Sequence, residues 1–135
     1  MFVFEHPVTI KPTDIDEMNH VNNVVYLRYV QEIAELHWKT HAPISLQQEV
    51  AWVVVRHEID YLSEIKPADA ILARTWLAEK KGATSFRHVE LLNTQTKKIV
   101  AKAITTWCML DRQTLRPKRI DDQVEFYLKS SKQSD

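Results

Sequence analysis

Residues 22–41 read NNVVYLRYVQEIAELHWKTH, and this stretch decides the fold. Its apolar side chains recur every three or four positions, which is the spacing of one face of an α-helix. These side chains are Tyr26, Tyr29, Val30, Ile33, Leu36 and Trp38. Asn22 or Asn23 precedes the pattern, and an asparagine side chain can cap the first turn of a helix. The sequence therefore predicts one long helix from Val24 to about His41.

Most of the remaining sequence alternates apolar and polar residues, as half-buried strands do. The predicted strands are Phe2–Lys11, Val50–Leu62, Ile71–Ala78, Thr84–Leu92 and Ile99–Leu110, and a short helix is predicted over Asp121–Lys129. Along the second strand the odd-numbered positions are apolar, and the charges of Arg56, Glu58 and Asp60 lie opposite them. The connections between the later strands are short enough for hairpins, so the sheet is predicted to be antiparallel.

One early helix followed by about four strands indicates an α+β fold. A single antiparallel sheet must bury one face, and the long helix is the large apolar object that can cover it. We therefore predict a curved sheet wrapped around the helix. The bulky candidates for the interface between them are Leu36, Trp38, Trp52, Trp76 and Trp107. Residues 1–130 are expected to form a single domain followed by a polar tail at 131–135.

The composition excludes several classes of protein. The 18 Lys and Arg residues balance 18 Asp and Glu residues, which argues against a nucleic-acid partner. The single cysteine, Cys108, rules out an internal disulfide or a cysteine-based metal cluster, and the single glycine, Gly82, rules out a glycine-rich phosphate loop. There is no apolar run of membrane-spanning length and no signal-peptide pattern, so we expect a soluble, cytoplasmic protein without a membrane partner.

Reactive groups are concentrated in the segment before the helix. They are Asp14, Asp16, Glu17, Asn19, His20, Asn22 and Asn23. The unpaired N–H groups at a helix start can polarise a carbonyl and stabilise an oxyanion. A carboxylate held beside them can act as a general base or as a nucleophile. Composition alone equally fits helix capping and solvation of a loop.

The order of these residues adds information. Asp14-Ile15-Asp16 followed by His20-Val21-Asn22-Asn23 resembles the motif at the helix start of hotdog-fold acyl thioesterases, and most closely that of the 4-hydroxybenzoyl-CoA thioesterase-like family. The HVNN part also resembles plant acyl-ACP thioesterases. The pattern continues in RHEIDYL at 56–62 and in IKPAD at 65–69, where this family often has glycine in place of Ala68. The resemblance spans roughly residues 2–111 and implies a hotdog fold.

The resemblance also implies roles for particular residues. Asp16 lies where the family has its catalytic carboxylate. The backbone N–H groups around Asn22, Asn23 and Val24 lie where the family polarises the thioester carbonyl. Asp14 is expected to hold a turn or a cap.

His20 matches the histidine of the acyl-ACP enzymes. Met18 stands where those enzymes have an asparagine, and Ile65 stands where they have a cysteine, with Glu64 beside it. An Asp16-centred mechanism is therefore favoured, with Glu64 as a possible neighbour of the site. His20 has two possible roles, either as a direct acid or base or as a hydrogen-bonding residue that holds the loop and Asp16 in place.

The implied activity is hydrolysis of an acyl-CoA thioester to a free acid and coenzyme A, without a metal or redox cofactor. His37 and His41 lie four residues apart on the helix but lack a convincing third ligand for a metal. Two alternatives stay open, an acyl-ACP thioesterase and a non-catalytic protein that binds acyl thioesters.

Self-association is expected as well. The predicted strand Val50–Leu62 is long, β-branched and free of proline, so its edge is suited to pairing with a second copy. The resemblance implies a homodimer or homotetramer with the active site at the subunit boundary. The alternative is a monomer whose edge is guarded by the charges of Arg56, Glu58 and Asp60.

Overall fold

The computed structural model describes residues 1–130, and the predicted polar tail at 131–135 lies outside the described residues. A five-stranded antiparallel sheet curves around one long helix, which confirms the predicted α+β class. The elements are β1 (Phe4–Pro7), a 3₁₀ helix (Pro12–Asp14), α1 (Asn23–His41), α2 (Ile44–Glu49), β2 (Val50–Tyr61), β3 (Ile71–Lys81), β4 (Thr84–Asn93), β5 (Lys98–Asp111) and α3 (Asp122–Lys129). The strand order is β1-β3-β4-β5-β2, so β1 and β2 are the edges of the sheet.

Helix α1 confirms the prediction made from its apolar spacing. It begins after Asn22, whose side-chain oxygen accepts a hydrogen bond from the N–H of Val24 at 3.0 Å. It ends at His41, and Pro43 follows two residues later. Its buried face packs into the main core of the sheet, which includes Tyr26, Tyr29, Val30, Ile33, Val89, Leu91, Ala101 and Ala103. Burial of this face fixes the helix across the inner surface of the sheet.

Strands β3, β4 and β5 are consecutive antiparallel neighbours joined by tight turns. Gly82 has a φ of +62° in the first turn, a conformation that costs glycine little. In the second turn the side chain of Asn93 accepts hydrogen bonds from the N–H groups of Gln95 and Thr96 at 2.9 and 3.1 Å. Strand β2 then pairs with the far side of β5. The antiparallel sheet is as predicted.

Strand β2 changes the face that it presents to the helix. Val54 and Arg56 lie opposite consecutive residues of β5, so Val55 is an extra residue that forms a bulge. Even-numbered positions therefore face α1 up to Val54, and odd-numbered positions face it from His57 onward. The unbroken alternation predicted for this strand is wrong in its first half. Val53, which is 43% exposed, faces away from the helix.

The tryptophans do not all lie at the predicted interface. Trp107 is buried on the helix side, and Trp38 and Trp52 pack edge to face with ring centroids 5.5 Å apart. Trp76 instead lies on the opposite face of the sheet, stacked on His88 at 5.3 Å. Its strand alternates, and the neighbouring side chains of β3 occupy the helix side. The prediction that Trp76 fills the interface between sheet and helix is wrong.

Two further elements differ from the sequence prediction. The first strand spans only Phe4–Pro7 instead of Phe2–Lys11. One further ladder bond follows it, from the N–H of Val8 to the carbonyl of Ile71 at 2.8 Å, and Pro12 then begins a 3₁₀ helix. The six-residue helix Ile44–Glu49 was not predicted, and it contains no buried residue that would give an apolar pattern. The terminal helix is confirmed, with Asp121 as its cap. No helix within residues 1–130 is long and apolar enough to cross a membrane.

Candidate active site

The segment before α1 forms a tight loop closed at its base. Ile15 and Val21 form an antiparallel bridge, and the N–H of Asp16 donates to the carbonyl of His20 at 2.8 Å. Asn19 turns the chain with a φ of +63°, a left-handed conformation that asparagine tolerates better than most residues. Asp16 and His20 are thereby held opposite each other at the base of the loop.

The carboxylate of Asp16 is anchored through one of its two oxygens. Oδ1 accepts hydrogen bonds from the N–H groups of Met18 at 2.9 Å and of His20 at 3.3 Å. Oδ2 accepts no hydrogen bond from residues 1–130, and the side chain is only half-buried. The loop therefore orients the group while leaving one oxygen open. This is an arrangement suited to a general base or a nucleophile.

Asp14 lies two residues earlier and has a different environment. It is 1% exposed, and Oδ2 accepts from the N–H of Lys11 at 2.9 Å and from the hydroxyl of Tyr29 at 2.7 Å. Oδ1 accepts from Nη2 of Arg28 at 2.7 Å. Burial alone would raise the pKa of Asp14, but these hydrogen bonds and the Arg28 charge outweigh it and lower the pKa. Asp14 ties the loop to α1, in line with the turn-holding role expected for it.

The three backbone donors predicted at the helix start have different partners. The N–H of Asn22 donates to the carbonyl of Asp14 at 2.9 Å, and that of Val24 donates to the capping oxygen of Asn22 at 3.0 Å. The N–H of Asn23 has no partner within residues 1–130 and belongs to an exposed residue. Among the three, the Asn23 N–H is the one left open at the positive end of the helix dipole.

Glu64 meets His20 directly. Its Oε2 lies 3.0 Å from Nε2 of His20, and its Oε1 lies 3.8 Å from Nζ of Lys66. The segment that carries Glu64 is fixed to the helix start by two hydrogen bonds: the N–H of Val21 donates to Ile65 O at 2.8 Å, and the hydroxyl of Tyr26 donates to Ser63 O at 3.0 Å. The structure thus brings together two segments that lie about forty residues apart in the sequence.

Exposed apolar side chains belong to the same segments as the candidate site. Met18 is 70% exposed in the loop, and Val24 is 73% exposed in the first turn of α1. Tyr61 and Leu62, just before the Glu64 segment, are also exposed. The adjoining strand β2 has no strand on its outer side within residues 1–130. The site is therefore open to solvent along an apolar rim and a free strand edge.

Two internal polar groups were not identified from the sequence. His57 is hydrogen-bonded on both ring nitrogens, to Gln31 at 3.1 Å and to Thr105 at 2.9 Å, and burial lowers its pKa. Arg87 is 5% exposed on the helix side of β4. The sequence carried a signal for the burial of Arg87, because Arg87 lies at an odd-numbered position of β4, as the buried Val89 and Leu91 do. Residues 1–130 contain no cluster of three His, Cys, Asp or Glu side chains that could hold a metal ion.

The model of the thioesterase-like superfamily matches residues 10–126, which is most of the chain. The chain belongs to the thioesterase-like superfamily. As the sequence predicted, this member of the superfamily is a thioester hydrolase. A comparison with curated proteins gives no match.

Solved structures show the same fold at low sequence identity. A thioesterase of Thermus thermophilus, complexed with coenzyme A and Zn, is 21% identical with a TM-score of 0.81, over 93% of this chain and 97% of its own. The probable thioesterase YbaW of Escherichia coli is 19% identical with a TM-score of 0.77, over 92% and 95%. A 1,4-dihydroxy-2-naphthoyl-CoA thioesterase of Synechocystis is 14% identical with a TM-score of 0.79, over 94% and 96%. These likenesses confirm the hotdog fold of this superfamily member.

Proposed function

We propose that this protein hydrolyses acyl-CoA thioesters, with Asp16 as the reacting carboxylate and the N–H of Asn23 as the oxyanion donor. The observation that carries the proposal is the one-sided anchoring of Asp16. Its Oδ1 is held by two backbone N–H groups, and its Oδ2 has no partner within residues 1–130. The open N–H of Asn23 follows on the same loop, at the start of α1.

Two routes are consistent with this arrangement. In the first, Asp16 takes a proton from water, and the hydroxide attacks the thioester carbonyl. In the second, Asp16 attacks the carbonyl and forms a mixed anhydride that water then cleaves. In both, the oxyanion is stabilised by the Asn23 N–H, and the C–S bond breaks to release a thiolate. The thiolate takes up the proton held by Asp16 in the first route, and the proton released by the water that cleaves the anhydride in the second. A single donor of this kind lowers the activation barrier by about 3–4 kcal/mol.

We infer a positioning role for His20. Its backbone N–H donates to Asp16, its carbonyl accepts from the Asp16 N–H, and its ring contacts Glu64. These contacts tie Asp16 to the segment after β2. The Nε2–Oε2 contact at 3.0 Å holds the ring on Glu64, so in this proposal His20 fixes the Asp16 loop against that segment rather than acting on the thioester.

Coenzyme A is the favoured carrier. The structurally similar thioesterase of Thermus thermophilus is complexed with coenzyme A, and so is a similar protein of Staphylococcus aureus. Acyl carrier protein remains the alternative suggested by the match of His20 to the acyl-ACP motif. The predicted cytoplasmic location stays a prediction.

We further propose that a second copy of the chain completes the site. Strand β2 has twelve residues without proline and a free outer side, whereas the other edge strand, β1, has four residues that end in Pro7. A long edge without proline favours strand pairing, and an isologous pair of β2 strands gives a symmetric dimer. Pairing there would cover the exposed Val53 and Val55 and bring partner residues toward the apolar rim of the site.

The test is a panel of acyl-CoA and acyl-ACP thioesters of different chain lengths, with a thiol-reactive reagent as readout. We expect turnover of at least one acyl-CoA and slower turnover of the same acyl group on acyl carrier protein. The Asp16→Asn variant is the control, because the amide oxygen can still accept the loop hydrogen bonds. The proposal fails if no acyl-CoA is hydrolysed or if the variant hydrolyses it at the wild-type rate.

A further inference from the structure

A half-open pocket of about 270 Å³ lies at the end of α1 remote from the candidate active site. It lies between α1, the start of β2, strands β4 and β5, and α3. Its inner surface includes Trp38, Trp52, Ser85, Arg87, Trp107 and Leu128. Asp16, His20 and Asn23 do not line it. Ala34, the first lining residue of α1, lies eleven positions after Asn23, which corresponds to about 16 Å along the axis.

Arg87 lines this cavity as a buried cation without a counter-ion. It is 5% exposed, and its Nη1 donates to Nδ1 of His37 at 2.9 Å and to Oγ1 of Thr75 at 3.0 Å. Burial and the nearby Arg87 charge lower the pKa of His37 to about 2, so both partners are neutral. No carboxylate of residues 1–130 forms an ion pair with Arg87, and its Nε and Nη2 have no hydrogen-bond partner there. Because Nε and Nη2 of this guanidinium can only donate, an anionic acceptor is the partner that best satisfies them.

Two more unpaired donors line the same cavity. The indole nitrogens of Trp52 and Trp107 are buried and have no hydrogen-bond partner within residues 1–130. An indole N–H can only donate, and a guanidinium can only donate. The cavity therefore offers several donors around one positive charge, and the occupant that satisfies them carries acceptor atoms and a negative charge. Lys39 and Arg112 add positive charge to the lining, against the single negative charge of Glu35.

Apart from Ser85, the rest of the lining is apolar. Trp38 and Trp52 pack edge to face, and Trp107 and Leu128 are buried. A cavity of about 150 Å³ is enough to hold benzene, so 270 Å³ accommodates an aromatic ring or a short alkyl chain with a polar group. A small inorganic anion would satisfy Arg87 but would leave these apolar walls without a partner.

We propose that this cavity binds an organic acid with an apolar body, its carboxylate on Arg87 and its body between the tryptophans and Leu128. A carboxylate matches the planar fork of a guanidinium through two parallel hydrogen bonds. Such an acid has two possible sources. It is either a free acid, or the far end of an acyl group in a monothioester of a dicarboxylic acid. Binding does not require thioester hydrolysis, so it can be tested apart from the proposed function.

The test is calorimetric titration of the wild-type protein with benzoate and octanoate, and with benzyl alcohol and octanol as neutral counterparts. We expect at least one acid to bind saturably, with its neutral counterpart at least tenfold weaker. Arg87→Met is expected to weaken acid binding at least tenfold. Trp76→Phe is the matched control, because Trp76 lies on the opposite face of the sheet, and it is expected to bind as the wild type does.

If Arg87→Met does not fold, Trp52→Phe decides the question. It keeps an aromatic ring but removes one unpaired donor. We expect it to weaken binding of the acid at least threefold and to leave binding of the neutral alcohol unchanged. The proposal is overturned if neither acid binds at millimolar concentration, if the alcohol binds as tightly as the acid, or if neither pocket variant changes acid affinity.

The source of the acid is then identified by kinetics on the folded pocket variant. If the acid is part of the substrate, the variant raises KM for hexadecanedioyl-CoA, whose chain is long enough to span about 16 Å, and leaves KM for its methyl ester unchanged. If the acid is free, KM is unchanged for both, and benzoate or octanoate binds equally well when the Asp16→Asn protein is saturated with thioester. Absence of hydrolysis in this assay would count against the proposed function alone, because acid binding is measured separately.

Discussion

The loop that leads into α1 has an inner side and an outer side, and each carries one aspartate. On the inner side, Asp14 is buried and bound by Lys11, Arg28 and Tyr29. On the outer side, Asp16 is half-buried and bound through one oxygen by backbone N–H groups of its own loop. The two residues have the same chemistry and lie two positions apart.

The difference between them comes from what α1 presents to each side. Arg28 and Tyr29 project toward Asp14 and satisfy both of its oxygens. No side chain of residues 1–130 donates to Asp16, which leaves one oxygen for a reactant. A fully satisfied carboxylate stabilises a fold, whereas a positioned and partly free one can react. The inner side should therefore control stability, and the outer side should control turnover.

The largest effect is expected on the outer side. Asp16→Asn removes the basic or nucleophilic oxygen but keeps an acceptor for Met18 and His20, so we expect kcat to fall at least about a hundredfold with little change in unfolding. Steady-state kinetics and urea denaturation of the same preparation measure both quantities. Glu17→Gln is the matched control, because Glu17 is an exposed acid of the same loop. Near-wild-type turnover of folded Asp16→Asn would remove Asp16 from the mechanism.

The opposite result is expected on the inner side. Asp14→Asn takes the charge from a group that accepts from Lys11, Arg28 and Tyr29, so the free energy of unfolding should fall by about 1–3 kcal/mol. The kcat of the folded fraction should change much less than in Asp16→Asn. Tyr29→Phe removes a single one of these hydrogen bonds and should cost less. A hundredfold loss of kcat at unchanged stability would reverse the assignment of the two aspartates.

The two sides should also differ in how stability depends on pH. The hydrogen bonds and the Arg28 charge lower the pKa of Asp14 below its ordinary value of 3.8. A lowered folded-state pKa gives stability that is present above the ordinary value and is lost as the pH falls through the folded value. Below about pH 4, the free energy of unfolding should therefore fall more steeply with decreasing pH in the wild type than in Asp14→Asn. Parallel curves would contradict this role of the Asp14 charge.

The smallest effect is expected for the ring of His20. His20→Gln keeps the backbone hydrogen bonds to Asp16 and alters only the contact with Glu64, so we expect turnover to fall by less than about tenfold. The shape of the pH–rate profile should not change. Glu64→Gln should give a similar small loss. A pH–rate profile that changes shape in His20→Gln, together with a hundredfold fall in kcat, would make His20 a direct acid or base.

Periodicity predicted the fold well where one face is buried along a whole element. The buried face of α1 and the alternation of β3 to β5 follow from local rules. Strand β2 departs from the prediction because a bulge at Val55 shifts its parity, and an extra residue in an apolar run has no local signature. Trp76 departs because a large apolar residue can lie on an outer face when another aromatic ring, here His88, stacks on it.

The candidate site was predictable in its residues but not in its hydrogen bonds. The order of Asp14, Asp16 and His20 singled out the loop, and Glu64 was named as a neighbour from the resemblance. Which backbone donor stays open depends on the bonds from Asn22 to Asp14 and from Val24 to Asn22. The His20–Glu64 contact depends on Val21 pairing with Ile65, a long-range hydrogen bond that the local pattern does not encode.

The central claim is that the open outer side becomes an active site when a second copy pairs along β2. Sedimentation velocity and acyl-CoA turnover on the same samples test it most directly. We expect the wild type to sediment at twice the chain mass of 15.8 kDa or a larger multiple, and Val55→Lys to shift toward the monomer and lose at least about tenfold in turnover. Phe126→Lys, at an exposed apolar residue of α3, should change neither. A 15.8 kDa species that hydrolyses acyl-CoA at the full rate would contradict the claim.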